Sequence, residues 1–502
     1  MKFKMTIDRK VFLLLLLWSV AVLMMLSIDS PIHGSYNRGD SSWLYMAGKA
    51  WMCGLKPYVD FTDSKGPLLW LIYGVGYLLA PHSYVGVYWL SCILYAGIFY
   101  YDYKIARLFL DDRRSIMTAL LMTFVYFWHW FHYEVRAEDF STLFVTISLY
   151  QLLRLLCQSD GMLPDLRHTS LTLGVCFMVL VLIKYNIALM QGSMILVVLW
   201  YYYRQCNTLL PPLKWHVIGA VAVALPFVVY FVATGTWSAF IQEYFVNTFL
   251  TVQPGDKDST VLSTYYGELM AAIHSPTKIT LLLCIIYGGW LLSYRLPHYR
   301  FAPMLVGVCF FLVSTRHNFD YYYAICDVFL LYLIIHSLSL LRKPLSRWGF
   351  IALMLVVAWW GIYENTKKGQ LLERVAIWAE NDDKEFFNAM NRYIADCPKS
   401  HPLILNVLAF EYGFGIEKET LPAGKYWSLQ NGMTLEMKRE HAELLTSCKA
   451  DFIITYDEKA SKDFGFPRDV IKKLGYERCY THTHQTIMNR KVTSTIYRKV
   501  YK

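Results

Sequence analysis

Apolar runs of about twenty residues recur across the first 365 positions, and they constrain the fold more than any other feature of the sequence. As an α-helix, a run of this length crosses the hydrocarbon core of a bilayer, which is about 30 Å thick. Only 17% of the 502 residues are charged, whereas a soluble domain carries about a quarter. The sequence therefore predicts an α-helical polytopic membrane protein.

The basic residues predict how these helices are oriented. Lys2, Lys4, Arg9 and Lys10 precede the first run, and such an excess of positive charge keeps a helix end in the cytoplasm. No small-residue cleavage site follows convincingly, so we expect an uncleaved first helix. Most of the net charge of +10 lies in short loops, where it sets orientation and does not indicate a nucleic-acid partner.

Segment 66–81 is apolar but short, and the charges decide whether it crosses the membrane. If it lies on the surface or re-enters the bilayer, the inner loops hold thirteen lysines and arginines, and the outer loops after the first hold five. Counting it as a span would invert this bias. We therefore expect interfacial helices, a C-terminus outside, and about 11 transmembrane helices, at 11–27, 84–103, 115–131, 140–157, 170–186, 188–203, 215–233, 277–293, 301–314, 320–341 and 348–364.

The composition changes near position 365 and predicts a second domain. Helical patterns at 380–397, 434–448 and 466–475 alternate with strand patterns at 403–410 and 451–456, and two strand-like pieces follow within 476–497. This alternation is typical of a small α/β domain. We therefore expect a membrane domain at 1–365, with a first outer loop at 28–83, and a soluble extracytoplasmic domain at 366–502.

Charged side chains of both signs cluster in the first outer loop, at Asp40, Asp60, Asp63 and Lys65. Lys65 precedes Gly66-Pro67, and proline is favoured at the first helical position. That places Lys65 at a helix N-terminus, where backbone N–H groups attract anions. Each residue also has a structural interpretation: Asp40 as a helix N-cap, Lys65 as an interfacial lysine, and Asp60 and Asp63 as turn residues.

Three other predicted outer loops carry ionisable groups. Glu134, Arg136, Glu138 and Asp139 surround the start of a span, where carboxylates are also common in a first helical turn. Lys184 lies at an apparent turn between two apolar runs. Arg316, His317, Asn318 and Asp320 precede tyrosines 321–323, which could equally be an interfacial aromatic belt. We infer a function because these ionisable groups, which are expensive near a membrane, collect on one face of it.

This set of groups suits a lipid-linked sugar donor. Its phosphate needs cations, the acceptor hydroxyl needs a carboxylate that takes its proton, and the departing phosphate needs lysine or arginine. We therefore expect catalytic roles for Asp40, Glu138 and Asp139, and phosphate binding by Lys65, Arg136, Lys184 and Arg316. We assign acceptor or sugar binding to Asp60, Asp63, His317 and Tyr321.

These motifs resemble the GT-C glycosyltransferases that use polyprenyl-phosphate sugars, in the branch of aminoarabinose transferases and protein O-mannosyltransferases. Asp40 matches the acid of the first external loop, residues 54–58 (GLKPY) match the turn, and residues 65–68 (KGPL) match the motif that opens an interfacial helix. Ser41 stands where the family commonly has a second acid, and Gly66 replaces a proline. The resemblance also covers 136–139, Lys184 and 316–323.

The resemblance implies an inverting transfer, with Asp40 as base or metal-proximal acid and Lys65 on the phosphate. The implied partners are a polyprenyl-phosphate sugar donor, membrane lipids, and a lipid, glycan or protein acceptor. Because Ser41 and Gly66 depart from the family pattern, the resemblance leaves open whether a divalent metal ion takes part. The eleven cysteines have no metal-binding spacing and do not identify a disulfide.

Two other functions fit the same sequence. A transporter or flippase of a lipid-linked glycan would place charged residues deep in several spans and break helices at the midplane. An O-antigen polymerase or ligase would need large outer loops, and the predicted loop 235–276, with its flexible QPGDKDST centre, is compatible with one. We expect a bacterial inner membrane location for all three.

Overall fold

The computed structural model of the protein describes residues 7–27, 29–31, 40–128, 135–158, 166–248, 261–297, 299–315, 320–341, 349, 355, 382–407, 419–428, 435–455, 468–485 and 491–501. The chain divides into two compact units. The first unit comprises Met1–Ser27, Ser91–Tyr230 and Pro254–Glu364, and the second comprises Ile28–Leu90, Phe231–Gln253 and Asn365–Lys502.

The first unit is helical. Its helices are α1 (Ile7–Leu26), most of α4 (Val85–Ala106), α5 (Asp112–Trp128), α6 (Ala137–Leu156), α7 (Leu166–Cys206), most of α8 (Leu210–Ala233), α10 (Val261–His274), α11 (Pro276–Ser293), α12 (Ala302–Ser314), a 3₁₀ helix (Asp320–Leu330) and α13 (Leu331–Leu340). Apart from some end residues, the described residues of each predicted span from 11–27 to 301–314 fall on one of these helices, and α7 accommodates two of the spans. The predicted span 320–341 covers the 3₁₀ helix and α13. The predicted span 348–364 lies outside the described residues.

The surface of α8 is apolar and exposed along its length. Leu213, Val217, Val221, Leu225 and Val229 are 45–57% exposed along this helix. A continuous apolar surface of this kind is unstable in water. Five helices among the described residues are long and apolar enough to cross a membrane. The chain is therefore a multi-pass membrane protein, and the count of eleven spans stays a prediction.

In the second unit, helices α2 (Asp40–Met52) and α3 (Pro67–Leu79) cross at a contact that only glycine permits. A Cβ atom on Gly48 would lie 2.4 Å from the backbone nitrogen of Gly74. Gly66 is extended and Pro67 opens α3, as the sequence predicts, because a missing N–H costs nothing in the first helical turn. This close crossing fixes the packing of α2, which begins at Asp40, against α3, which begins two residues after Lys65.

The predicted loop 235–276 contains helical structure that was not predicted from the sequence. Helix α9 (Trp237–Phe240) continues into a π-helix (Ile241–Asn247), and α10 begins at Val261. Aromatic residues pack on this stretch, since the rings of Phe231 and Phe240 stack with centroids 4.4 Å apart. The QPGDKDST centre lies outside the described residues.

The C-terminal part of the second unit has the predicted alternation of helices and strands. Its elements are α14 (Asp382–Ala395), β1 (Leu403–Val407), β2 (Leu421–Pro422), α15 (Leu435–Thr446), β3 (Phe452–Thr455), α16 (Arg468–Lys473), β4 (Tyr476–Gln485) and β5 (Lys491–Lys499). The sheet order is β2-β1-β3-β5-β4. Strand β1 is parallel to β2 and β3, whereas β5 is antiparallel to β3 and β4. The domain boundary at 365/366 stays a prediction.

Candidate functional site

The second unit brings Asp40, Asp63 and Lys65 together, and we call these three residues the first-loop cluster. The ammonium nitrogen of Lys65 lies 3.2 Å from a carboxylate oxygen of Asp63 and 3.7 Å from one of Asp40. The side chain of Asp63 is 3% exposed, that of Lys65 19% and that of Asp40 36%. Asp40 is therefore the carboxylate of the cluster that solvent or a substrate can reach most easily.

Local hydrogen bonds position the cluster. One oxygen of Asp63 accepts hydrogen bonds from the backbone N–H and hydroxyl of Ser64, at 2.6 and 3.1 Å. The hydroxyl of the buried Tyr58 donates to the backbone carbonyl of Lys65 at 3.2 Å. Tyr58 itself has a positive φ of 66°, which is uncommon outside glycine. The turn thus places Lys65 directly before the N-terminus of α3.

The structure shows the local contacts of the three predicted aspartates of this loop. Helix α2 begins at Asp40, so the residue lies at the helix N-terminus that its capping interpretation requires. Asp60 accepts a 2.6 Å hydrogen bond from the backbone N–H of Lys56, which is a turn contact. Asp63 shares Lys65 with Asp40, so a second carboxylate lies near the same cation although Ser41 follows Asp40 in the sequence. The roles assigned to all three stay predictions.

The first unit holds a separate group of predicted residues, the Lys184 cluster, which comprises Arg136, Glu138, Lys184, Tyr321 and Tyr322. Lys184 donates a short hydrogen bond to the carboxylate of Glu138. Its ammonium nitrogen lies 3.8 Å from the ring centroid of Tyr322, and the guanidinium of Arg136 lies 4.7 Å from that of Tyr321. Two cations therefore lie against two tyrosine rings.

Lys184 owes its position to a break in α7. Its backbone angles, φ −160° and ψ 99°, are extended inside an otherwise helical segment. The sequence places a turn at this residue, and the structure has the break there. The side chain is 12% exposed and that of Glu138 is 4% exposed, so the ion pair is largely shielded from solvent.

Asp139 is held as a helix cap. One carboxylate oxygen accepts a hydrogen bond from the backbone N–H of Arg136 at 2.9 Å, and the other accepts from the hydroxyl of Tyr95. Asp139 is 4% exposed. These contacts account for the residue structurally, and its predicted catalytic role gains no support from them.

Some predicted residues lie outside the described part of the chain. Glu134, Arg316, His317 and Asn318 are among them, so their roles stay predictions. Asp320 is described, and its carboxylate pairs with the ammonium of Lys278 at 2.9 Å.

Several buried ionisable groups in the second unit were not predicted from the sequence. Glu243, in the π-helix, accepts hydrogen bonds from the hydroxyl of Tyr426 at 2.9 and 3.1 Å and pairs with Lys425. Burial, and then the nearby Glu243, raise the pKa of Tyr426. Lys49 is fully buried, and this burial lowers its pKa to about 7. Partners distant in sequence create these environments, so the local sequence carries no signal for them.

Two buried carboxyl groups in the first unit were also missed. Asp102 accepts hydrogen bonds from the hydroxyl of Tyr126 at 3.1 and 3.2 Å, and Asp327 is likewise fully buried. Their apolar flanking sequence was the available signal, because an ionisable residue inside a span is expensive and tends to mark function.

Metal and disulfide chemistry find no further support in this part of the structure. The described residues contain no group of three or more His, Cys, Asp or Glu side chains that could hold a metal ion. None of the eleven cysteines, all of which lie in described segments, forms a disulfide.

Comparison with known proteins supports the fold assignment. Residues 64–232 match the family model described as dolichyl-phosphate-mannose-protein mannosyltransferase. ArnT from Cupriavidus metallidurans bound to undecaprenyl phosphate aligns with a TM-score of 0.58 and 11% identity, covering 96% of this chain and 97% of that chain. The apo form of the same ArnT aligns with a TM-score of 0.55 and 13% identity over the same shares of the two chains.

A further structure is more distant. The oligosaccharyltransferase AglB from Archaeoglobus fulgidus, in complex with an inhibitory peptide and a dolichol-phosphate, covers 97% of this chain and 74% of its own, with 12% identity. The TM-score of this alignment is 0.45. A search among curated proteins finds no match. The family match and the ArnT structures confirm the GT-C fold and the resemblance drawn from the sequence.

Proposed function

We propose that this GT-C-fold membrane protein is a glycosyltransferase that moves a sugar from a polyprenyl-phosphate donor to an acceptor, with inversion, on the extracytoplasmic face of a bacterial inner membrane. One observation carries the proposal: the ammonium of Lys65 lies between the carboxylates of Asp40 and Asp63, directly before the N-terminus of α3. An acid that can accept a proton and a cation that can meet a phosphate are thus adjacent.

The transfer step follows from these groups. The acceptor hydroxyl oxygen attacks the anomeric carbon as the carbon–oxygen bond to phosphate breaks, and the bonding electrons leave with the polyprenyl phosphate. Asp40 takes the hydroxyl proton as general base, a contribution of about 10²–10⁴-fold in rate. Lys65 and the backbone N–H groups at the start of α3 stabilise the charge on the departing phosphate.

The Lys184 cluster supports a second part of the proposal, donor recognition. The guanidinium of Arg136 lies against the ring of Tyr321. The ammonium of Lys184 lies against the ring of Tyr322 and pairs with Glu138. Arginine and lysine are the usual partners of phosphate oxygens. We propose that Arg136 and Lys184 bind the donor phosphate. The sequence assigns the same role to Lys65 and Arg316, and it assigns acceptor or sugar binding to Asp60, Asp63, His317 and Tyr321; these assignments stay predictions.

Replacement of Asp40 tests the function. Purified protein in detergent would be offered a panel of polyprenyl-phosphate sugars, and transfer would be followed by mass spectrometry of acceptor products. Asp40→Asn should lose at least about a hundredfold in rate while keeping its melting temperature. Asp396→Asn, which changes an exposed carboxylate, is the matched control. Full activity in Asp40→Asn would refute the assignment of the base.

The topology proposed here needs its own test. The N-terminus is assigned to the cytoplasm, and residues 366–502 are assigned to an extracytoplasmic domain. Reporter fusions at positions 10 and 502 would check both assignments, because phosphatase reporters are active only outside the cytoplasm. A cytoplasmic C-terminus would contradict the proposal.

The buried carboxyl groups favour a transporter or flippase as the second candidate. Asp102 and Asp327 are fully buried in helices of the first unit, and ionisable groups within transmembrane helices often mark transport pathways. Asp102→Asn and Asp327→Asn should abolish translocation of a fluorescent lipid-linked glycan in liposomes if the protein is a flippase. Glycosyl transfer in detergent by these variants would favour the enzyme.

A further inference from the structure

A π-helix in the second unit carries a buried carboxylate. Glu243 is 4% exposed and lies in the π-helix Ile241–Asn247. π-Helices are rare and occur frequently at functional sites. The carboxylate accepts hydrogen bonds from Tyr426 and pairs with Lys425, whose ammonium also lies 3.9 Å from Glu440. The side chain of Glu243 is 3% exposed, so removing its partners would leave an uncompensated buried charge.

Contacts on the C-terminal side connect this pair to the helix of Asp40. The ring of Trp427, the residue after Tyr426, stacks on that of Trp43, with centroids 6.4 Å apart and planes inclined by 18°. Trp43 lies one helical turn after Asp40 in α2. The backbone carbonyl of Trp427 accepts a 2.7 Å hydrogen bond from the N–H of Asn406 in β1. The sheet, the Trp427 ring and the helix of Asp40 are therefore held together.

Contacts on the other side of Glu243 connect it to Lys65. The ring of Tyr244 lies 6.2 Å from that of Tyr58, and the hydroxyl of Tyr58 donates to the backbone carbonyl of Lys65. Lys65 in turn pairs with Asp40. The contacts thus form a closed circuit that begins and ends at the first-loop cluster and passes through Glu243.

We infer that Glu243 is a positioning residue for the first-loop cluster: through Tyr426 and the Trp427–Trp43 stack on one side, and through Tyr244 and Tyr58 on the other, it sets the placement of Asp40 and Lys65. The inference rests on the proposed function. It assigns a role to the C-terminal domain, which supplies Tyr426 and Trp427 to support the cluster without touching the reacting atoms.

The test is Glu243→Gln, which keeps the size of the side chain and an oxygen that accepts from Tyr426 but removes the charge that holds Lys425. We expect kcat for transfer to fall about ten- to hundredfold, as expected for misplacement of reacting groups, with the donor KM unchanged. Tyr426→Phe should act in the same direction. Glu443→Gln, which changes an exposed carboxylate paired with the exposed Arg439, should leave kcat unchanged.

A readout independent of activity accompanies the kinetics. With 5-fluorotryptophan incorporated, Trp43→Phe and Trp427→Phe assign the two fluorine signals, and Glu243→Gln should shift both. If the wild-type protein transfers no sugar, the proposed function fails while the fluorine signals still test the coupling. A wild-type kcat in folded Glu243→Gln, or unmoved signals of Trp43 and Trp427, would overturn the inference. If Glu243→Gln does not fold, Tyr426→Phe is judged by the same two criteria.

Discussion

The ammonium nitrogen of Lys65 lies 3.2 Å from a carboxylate oxygen of Asp63 whose side chain is only 3% exposed. A buried, ionised carboxylate has lost its hydration, and a nearby cation offsets that loss. The ionised form of Asp63 therefore depends on Lys65. Asp40 shares the same ammonium at 3.7 Å but is more exposed. The two aspartates therefore have different environments, in which Asp63 holds the lysine and Asp40 faces outward.

This difference predicts distinct effects on stability and activity. Lys65→Met should lower the free energy of unfolding by about 1–3 kcal/mol, since it leaves Asp63 buried and unpaired. The double variant Lys65→Met/Asp63→Asn should recover much of that stability and remain inactive in transfer. Thermal melts and transfer assays on the single and double variants measure both effects. An active double variant would remove Lys65 from the mechanism.

Lys184 offers a second prediction, with a closely matched control. Lys184→Gln should raise the donor KM about tenfold, the loss of about 1.4 kcal/mol of binding energy, because a neutral amide attracts phosphate less than an ammonium does. Lys278 resembles Lys184 in pairing with a carboxylate, that of Asp320, and in lying near a tyrosine ring, 5.0 Å from that of Tyr323. Lys278→Gln should lower stability without changing the donor KM. If the two variants had the same donor KM, the assignment of the donor phosphate to Lys184 would be contradicted.

The crossing of α2 and α3 predicts a steric effect. Gly48→Ala would bring a methyl group within 2.4 Å of backbone that cannot rotate away, so we expect a loss of about 1–3 kcal/mol in stability, the usual cost of overpacking. Gly192, also in a helix, has open space within 4 Å of the point that a Cβ atom would occupy, and Gly192→Ala should be neutral or stabilising by up to about 1 kcal/mol. Melting temperatures of the two variants check the contrast.

The buried Lys49 predicts a pH dependence of stability. Burial lowers its pKa from 10.5 to about 7, so between these values the unfolded chain binds a proton that the folded protein lacks. Stability should therefore rise with pH over this interval, by at most about 1.4 kcal/mol per pH unit. Below about pH 7 both states are protonated, and the cost of burying the charge is fully present. Melting temperatures from pH 6 to 10 would measure the rise.

Lys49→Met supplies the control for this experiment. Methionine keeps much of the apolar side chain and cannot titrate, so the difference in melting temperature between wild type and variant should shrink as the pH rises. A difference that is constant across the interval would show that Lys49 does not titrate there.

Much of the fold was predictable because it depends on local sequence. The length and polarity of the apolar runs placed the helices, and Pro67 marked the first residue of α3. The alternation of helices and strands after position 382 was also recovered, apart from the two-residue strand β2. In contrast, the π-helix and α9 were missed. Their aromatic residues Phe240 and Tyr244 pack on Tyr58, which is distant in sequence, so the local pattern carries no signal for this contact.

The sequence by itself determined the chemistry available in the first loop: the acids at 40, 60 and 63, the lysine at 65 and the helix start beside it. Only the tertiary structure decided that Asp63 is buried on Lys65, that Asp60 turns to the backbone of Lys56, and that Glu243 meets Tyr426 from 183 positions away. Residue type sets what a group can donate, accept or ionise. Burial and distant partners decide which of these it does, and they arise only when the chain folds.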